Sequence, residues 1–140
     1  MPATVRADVR EFFERFQRAS RDLDAGVLTA CFADQFLSLD SSSAHTLSPI
    51  ALIAALPRRK ALFESIGSDG LELDELDEMP LDDYHTLVRT SWLLRRRGES
   101  HAPITLQSTF LLRREQREWR IVVYLNHQDM GELFSSLGQG

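Results

Sequence analysis

The chain has 140 residues, an ordinary globular composition and a formal net charge of −5. This length suits one domain, residues 1–140, with a core of its own, and the composition excludes a disordered or fibrous chain. The negative charge argues against a nucleic-acid partner, because non-specific binding to phosphates needs a dense basic surface.

The first half of the chain is predicted to be mainly helical. Apolar residues recur at helical spacing over residues 4–23, with charged residues on the opposite face. Residues 24–26 break this helix, and a short second helix follows at residues 27–32. Ser48 and Pro49 form an N-cap with proline at the first helical position, and a third helix then runs to Gly67. Pro57 lies inside it and predicts a kink or two short helices.

Five strands are predicted, with a last helix after them. A short strand at residues 36–39 leads into a polar turn at residues 40–43, and longer strands follow at residues 71–79, 84–95, 104–115 and 118–128. The charged segment 115–118 folds the last two into a hairpin, so at least three antiparallel strands lie side by side. Asp129 caps the last helix, with Glu132 three residues on.

Acidic and basic residues are segregated along these strands. Residues 69–83 hold eight carboxylates and no base, while arginines cluster at the ends of the later strands. Two explanations are open: ion pairs across neighbouring strands, worth about 0.2–1 kcal/mol each, or an acidic face that docks a partner. We favour ion pairing.

No membrane or secretory segment is predicted. No apolar run reaches membrane-spanning length, and the start, MPATVRADVREFFERF, interleaves charges with its apolar residues. We therefore expect no membrane partner and a cytoplasmic location. No metal or cofactor motif is present either, and Cys31, the single cysteine, is predicted to be a small buried hydrophobe.

The order of elements resembles the NTF2-like superfamily. A long helix, a short helix ending in CFAD, a strand, a turn, a helix and four strands, the last opening on WRI, are similar to nuclear transport factor 2, ketosteroid isomerase and the SnoaL-like cyclases. The resemblance implies an α+β cone, in which N-terminal helices and a short C-terminal helix cover a strongly curved, mainly antiparallel sheet. It further implies an apolar pocket inside the cone and a homodimer through the sheet face.

Asp40 is the first candidate for chemistry. FAD followed six residues later by an Asp is similar to the segment that carries the general base of ketosteroid isomerases. The resemblance is incomplete, since Phe16 stands where the isomerase has a tyrosine and Gln107 lies on a strand that lacks the expected acid. Isomerase activity of that type is not predicted. The alternative is that Asp40 opens the serine turn and accepts its backbone N–H bonds.

Arg89 offers two alternatives. Asp40 and Arg89 together resemble the charged pair of the superfamily's epoxide hydrolases, or Arg89 points outward and pairs with an acid of the strand segment 71–83. Trp92 and Trp119 are predicted to fill the core or an interface.

The last strand supplies further candidates. With a period of two, Tyr124 and Asn126 share one face with Val122, while His127 shares the other with Trp119, Ile121 and Leu125. His127 near Asp129 resembles the acid–base pair of the SnoaL-like cyclases, but Asp129 is predicted to be a helix cap. A structural hydrogen bond at the end of the sheet is the alternative for His127.

Two functions stay open at this point. The first is the binding of a small, mainly apolar molecule, with Asp40 and His127 as candidates for acid–base catalysis and, as ligand-binding candidates, Phe16, Arg89, Trp92, Gln107, Tyr124 and Asn126. The second is a non-catalytic interaction or dimerisation module whose pocket is filled by its own side chains.

Overall fold

Four helices lie against one six-stranded sheet in the computed structural model, which describes residues 5–98 and 102–138. The helices are α1 (Ala7–Asp22), α2 (Ala25–Cys31), α3 (Pro49–Ser65) and α4 (Met130–Gly138). The strands are β1 (Phe32–Leu39), β2 (Ala44–Leu47), β3 (Leu71–Pro80), β4 (His85–Leu94), β5 (Ile104–Glu115) and β6 (Glu118–Asn126). This is the predicted α+β cone with a curved, mainly antiparallel sheet.

The strand order is β2-β1-β6-β5-β4-β3, and only the β1–β6 pair is parallel. The predicted hairpin is confirmed, since Glu115 pairs with Glu118 across a turn in which Gln116 and Arg117 both have positive φ. Two left-handed residues match the twist of the flanking strands, as in a type I′ turn. No helix in the described part of the chain is long and apolar enough to cross a membrane.

The helical predictions hold with small changes in their bounds. The predicted start of the first helix, Thr4, lies outside the described residues, and α1 begins at Ala7 with Arg6 as its N-cap. Ser48 caps α3 through its side chain, as predicted, and Asp24, which was predicted only to break the first helix, caps α2 in the same way. The alternative of two short helices around Pro57 is wrong, because α3 is one helix from Pro49 to Ser65.

The first strand and its partner differ from prediction. β1 begins at Phe32, four residues before the predicted strand, because α2 ends at Cys31. β2 was not predicted, and it pairs with β1 beyond the polar turn, for example Phe36 with Leu47. Cys31 is fully buried, and burial raises the pKa of its thiol, so its prediction as a small core residue is confirmed.

Aromatic side chains join the helices to the sheet. Phe13 of α1 packs against Phe110 of β5 with ring centroids 5.0 Å apart, and Phe16 lies 5.9 Å from both Phe32 and Phe110. These rings are buried, and such aromatic contacts, edge-to-face at Phe110 and tilted between Phe16 and Phe32, add to the hydrophobic stabilisation of the core. The inner face of the sheet is therefore packed against α1, and a void lined by both α1 and α3 remains beside it.

A β-bulge in β6 decides which side chains face this core. The register shifts between Leu111 and Leu112, so Val122 is the extra residue between Ile121 and Val123. Trp119 and Ile121 consequently lie on the same inner face as Tyr124. The prediction that Trp119 and Ile121 share a face with His127 is wrong, because a bulge reverses the alternation that a period of two assumes.

Candidate functional site

An apolar pocket of about 110 Å³ lies between the helices and the inner face of the sheet. Its walls come from α1, α3, β3, β4 and β6, chiefly through Phe16, Leu56, Phe63, Leu71, Trp92 and Tyr124. A dry, apolar cavity of about 150 Å³ is known to hold benzene, so this pocket suits a body of about one ring. Three of the predicted binding residues, Phe16, Trp92 and Tyr124, thus meet in one wall, and their role in binding stays a prediction.

Hydrogen bonds hold Trp92 in the wall. Its indole Nε1 donates to Thr90 Oγ1 over 2.7 Å, and Thr90 Oγ1 donates to the carbonyl oxygen of Ser108 over 3.0 Å. Both polar groups are buried, and their bonds satisfy them within the sheet. The face of the indole is therefore available to the pocket while its N–H is not.

Tyr124 contributes a polar group to the lining of the pocket. Its ring packs on Phe110 with centroids 4.6 Å apart. Among residues 5–98 and 102–138, no side chain or backbone group forms a hydrogen bond with its hydroxyl. A phenolic hydroxyl both donates and accepts, so a ligand in the pocket has one such partner in the wall.

The mouth of the pocket is polar and charged. Ser20 and Arg21 line it from α1, Arg59, Lys60 and Glu64 from α3, and Asp69 from the segment before β3. The guanidinium of Arg59 lies over the ring of Phe63 at 5.6 Å. This cation–π contact orients the arginine above the apolar wall.

Asp40 lies outside this pocket. Its Oδ1 accepts hydrogen bonds from Ser42 N at 2.9 Å, Ser42 Oγ at 3.1 Å and Ser43 Oγ at 2.9 Å. The backbone bond from Ser42 is the main cause that lowers the pKa of Asp40. These are the hydrogen bonds that the serine-turn alternative predicted. Asp40 is not among the residues that line the pocket, so the geometry of this pocket does not support Asp40 as its general base, and that role stays a prediction.

Asn126 also lies apart from the pocket. It is on the inner face, where its Oδ1 accepts a bond of 2.9 Å from Ser108 Oγ, and it lines a separate groove between α3 and α4 with Arg58 and Phe134. The Asn126 amide is thus bonded within the sheet, and it lines a different cavity from the one that Tyr124 lines.

Arg89, Gln107 and His127 lie together on the opposite side of the sheet. They line a polar groove of about 180 Å³ on the outer face, where Arg89 is level with Asp77 of β3. The neighbours of Arg89, Val88 and Thr90, are buried, so Arg89 itself points outward. The prediction that Arg89 and Gln107 line the cone pocket is therefore wrong. The ion pair expected for Arg89 is not among those in the described part of the chain.

His127 has the structural bond that its alternative predicted. Its Nε2 lies 2.7 Å from Thr109 Oγ1 across the β5–β6 pair. It lies on the outer face of the sheet and Asp40 lies in the serine turn, so the two candidates for acid–base catalysis do not face a common cavity. Asp129 caps α4 through a 3.0 Å bond from Glu132 N, as predicted.

A buried ion pair joins the start of α1 to the sheet. The carboxylate of Glu78 is fully buried and accepts hydrogen bonds from Arg6 N, Nε and Nη2 and from Thr86 Oγ1. Burial raises the pKa of Glu78, but these bonds outweigh that effect and lower it. Beside it, Asp8 Oδ2 accepts from Arg114 Nη2 at 2.9 Å and Trp119 Nε1 at 3.0 Å.

Two other acids of the segment 69–83 form ion pairs with arginines, as the favoured explanation predicted. Glu72 pairs with Arg95 at 2.9 Å, and Asp69 with Arg97 at 2.9 Å. Across strands and strand ends, acids of the segment 69–83 thus pair with arginines from later in the chain.

No group of three His, Cys, Asp or Glu side chains within the described ranges is arranged to hold a metal ion.

The pocket residues that the sequence analysis missed lie mainly on α3. Leu56, Arg59 and Phe63 are spaced by three and four residues and so share one face of that helix. This spacing was readable in the sequence. It did not predict a pocket, because nothing local shows that this face lies opposite Trp92 and Tyr124.

The comparisons with known proteins agree with this fold. Residues 4–129 match the family described as NTF2-like protein (DUF6841). The chain belongs to this family. No curated protein matches it.

Solved structures of low sequence identity share the architecture. An NTF2-like protein of unknown function from Shewanella oneidensis is 17% identical, with a TM-score of 0.69 over 86% of this chain and 97% of that one. The protein Aln2 from a Streptomyces species is 17% identical, with a TM-score of 0.70 over 91% and 93%. An NTF2-like protein from Novosphingobium aromaticivorans is 16% identical, with a TM-score of 0.68 over 93% and 86%. At these identities the likeness shows the fold alone.

Proposed function

We propose that this NTF2-like protein binds a small, mainly apolar organic molecule in the inner pocket. One observation carries the proposal: an apolar void lies between Phe16, Trp92 and Tyr124 and opens at a polar mouth. Concave apolar sites with a few polar groups are the usual form of small-molecule sites. The volume of about 110 Å³ limits the enclosed part of the ligand to about one ring.

The geometry supports binding better than acid–base catalysis. Asp40 is held in the serine turn, and His127 is bonded to Thr109 on the outer face. Among the polar groups that line the pocket, the Tyr124 hydroxyl can orient a ligand through a hydrogen bond.

A titration with 3-phenylpropan-1-ol tests the proposal. Amide resonances of the full-length protein, followed by ¹H–¹⁵N correlation spectra, are expected to shift for residues around Phe16 and Trp92. Ser20→Phe places a ring in the mouth and should abolish these shifts. Ser136→Phe, the same change at an exposed position of α4, should leave them intact. Equal shifts in both variants, or shifts confined to the outer face, would contradict binding in the pocket.

We also propose a homodimer through the outer sheet face. Leu37 and Met79 are exposed there, at 37% and 58% of their surface, and the outward-facing Leu111 and Val123 are half-buried. Patches of apolar side chains of this kind are frequent at interfaces between copies of a chain. Sedimentation equilibrium is expected to show a dimer that Leu111→Glu dissociates and Ile50→Glu, on α3, does not. A monomeric wild-type protein would refute it.

A further inference from the structure

We propose that the ligand of the inner pocket is a small organic acid bound as its anion, with the apolar body inside and the acidic group at the mouth. This inference rests on the proposed function and adds the chemical class of the ligand. It follows from the charges of the mouth, which differ in sign from those of the whole chain.

Three cations surround the opening. Arg21 lies in the last turn of α1, while Arg59 and Lys60 are consecutive on α3. Within residues 5–98 and 102–138, none of the three forms an ion pair with a carboxylate. Their charges are therefore left to a ligand or to solvent ions.

The two acids of the mouth offset these cations only in part. Asp69 accepts a 2.9 Å hydrogen bond from Arg97 Nη2, so its charge is already paired. Glu64 is the other acid, against three cations. The chain as a whole carries −5, so a mouth with more positive than negative charge is a local departure from the average. A cleft with apolar walls concentrates such a field at its opening.

The position of Arg59 suits a carboxylate. Its guanidinium is held over Phe63, one of the residues of the apolar wall, and this places a planar set of donors at the border between wall and solvent. A guanidinium binds a carboxylate through two parallel hydrogen bonds. An acid whose ring lies against Phe16 and Trp92 would thus reach a cation without burying its charge, and would keep part of its hydration.

Calorimetric titration of the full-length protein with two probes tests this inference. The probes are 3-phenylpropionate and the neutral 3-phenylpropan-1-ol, which share the same ring and chain length. At low salt we expect the anion to bind about threefold to fivefold more tightly, near the upper end of what exposed ion pairs supply. The difference should shrink in about 0.5 M salt, since salt screens exposed charges.

Variants on α3 locate the effect. Arg59→Gln is expected to weaken the anion about threefold to fivefold and to change the alcohol less than about twofold. Both arginines line the groove towards α4, but Arg58 does not line the inner pocket, so Arg58→Gln should change the affinity of neither probe. Lys60→Gln, at an exposed position of the mouth, is a second variant that should weaken the anion more than the alcohol.

The outcomes separate the two proposals. If both probes bind with equal affinity, and neither Arg59→Gln nor Lys60→Gln changes it, the proposal of an anionic ligand is wrong, while the proposal of an apolar binding pocket holds. Binding of neither probe would overturn both proposals.

Discussion

The buried ion pair between Arg6 and Glu78 is predicted to be a major contributor to stability. Glu78→Gln keeps the size of the side chain and removes its charge, so an amide NH₂ replaces one of the oxygens that accept from Arg6 and Thr86. Breaking one half of a buried pair costs about 3–5 kcal/mol. The Arg6 side chain is 42% exposed and can regain water, so we expect about 2–3 kcal/mol.

Urea unfolding followed by circular dichroism measures this change at pH 7. Glu75→Gln is the matched control, because Glu75 is exposed on the same strand and forms no ion pair in the described part of the chain. A surface change of this kind is expected to stay within about 0.5 kcal/mol.

The pH dependence supplies a second readout. Because the pKa of Glu78 is lowered from its ordinary value of 4.5, its contribution to the free energy of unfolding is fully present above pH 4.5. It is lost as the pH falls through the lowered value, so the gap between wild type and Glu78→Gln should narrow in acid. A Glu78→Gln protein as stable as wild type at pH 7, or a gap that does not narrow, would refute this reasoning.

Three further predictions concern the turns and the cysteine. Asp40→Asn should cost about 1 kcal/mol in urea unfolding, because the amide oxygen can still accept the turn hydrogen bonds but loses the charge that strengthens them. It should leave binding of 3-phenylpropan-1-ol unchanged; a large loss of binding would show that Asp40 contributes to the site. Arg117→Gly should stabilise the protein by about 0.5–1 kcal/mol, because Arg117 has a φ of 70° that glycine adopts without strain; a loss of stability would show that this arginine has another role. The thiol of Cys31 should resist a disulfide reagent at pH 8 until the protein is unfolded, since it is buried and its pKa is raised; rapid reaction in the native state would contradict its burial.

Features with a local signal were predictable from the sequence. The apolar stripe of α1, the Ser48 cap of α3 and the turn of the last hairpin each depend on residues within a few positions of one another. The serine turn at Asp40 belongs with them, since its three hydrogen bonds span at most three residues.

Features that depend on residues far apart in the chain could not be predicted from the sequence. β2 is a short strand of mainly exposed residues, so no alternation marks it. Glu78 stands in a run of acids, and its burial depends on Arg6, which is 72 residues away. The bulge at Val122 changes which side of the sheet Trp119 faces without any glycine to signal it.

In the candidate site, too, some residues could be predicted from the sequence and others could not. The aromatic residues Phe16, Trp92 and Tyr124 could be selected as pocket candidates, because large aromatic side chains dominate buried surfaces. Arg89 and Gln107 could not be assigned to the correct face, since strand alternation alone does not say which face is inward. The charged mouth was missed, because Arg21 and Arg59 are brought together only by the packing of α1 near α3.

Intermolecular nuclear Overhauser effects between bound 3-phenylpropan-1-ol and the full-length protein test the central claim most directly. Ligand binding between the helices and the sheet predicts contacts from the ring protons of the alcohol to the side chains of Phe16, Trp92 and Tyr124. Contacts restricted to outer-face residues such as Leu111 and Val123, or no contacts at saturating alcohol, would contradict it.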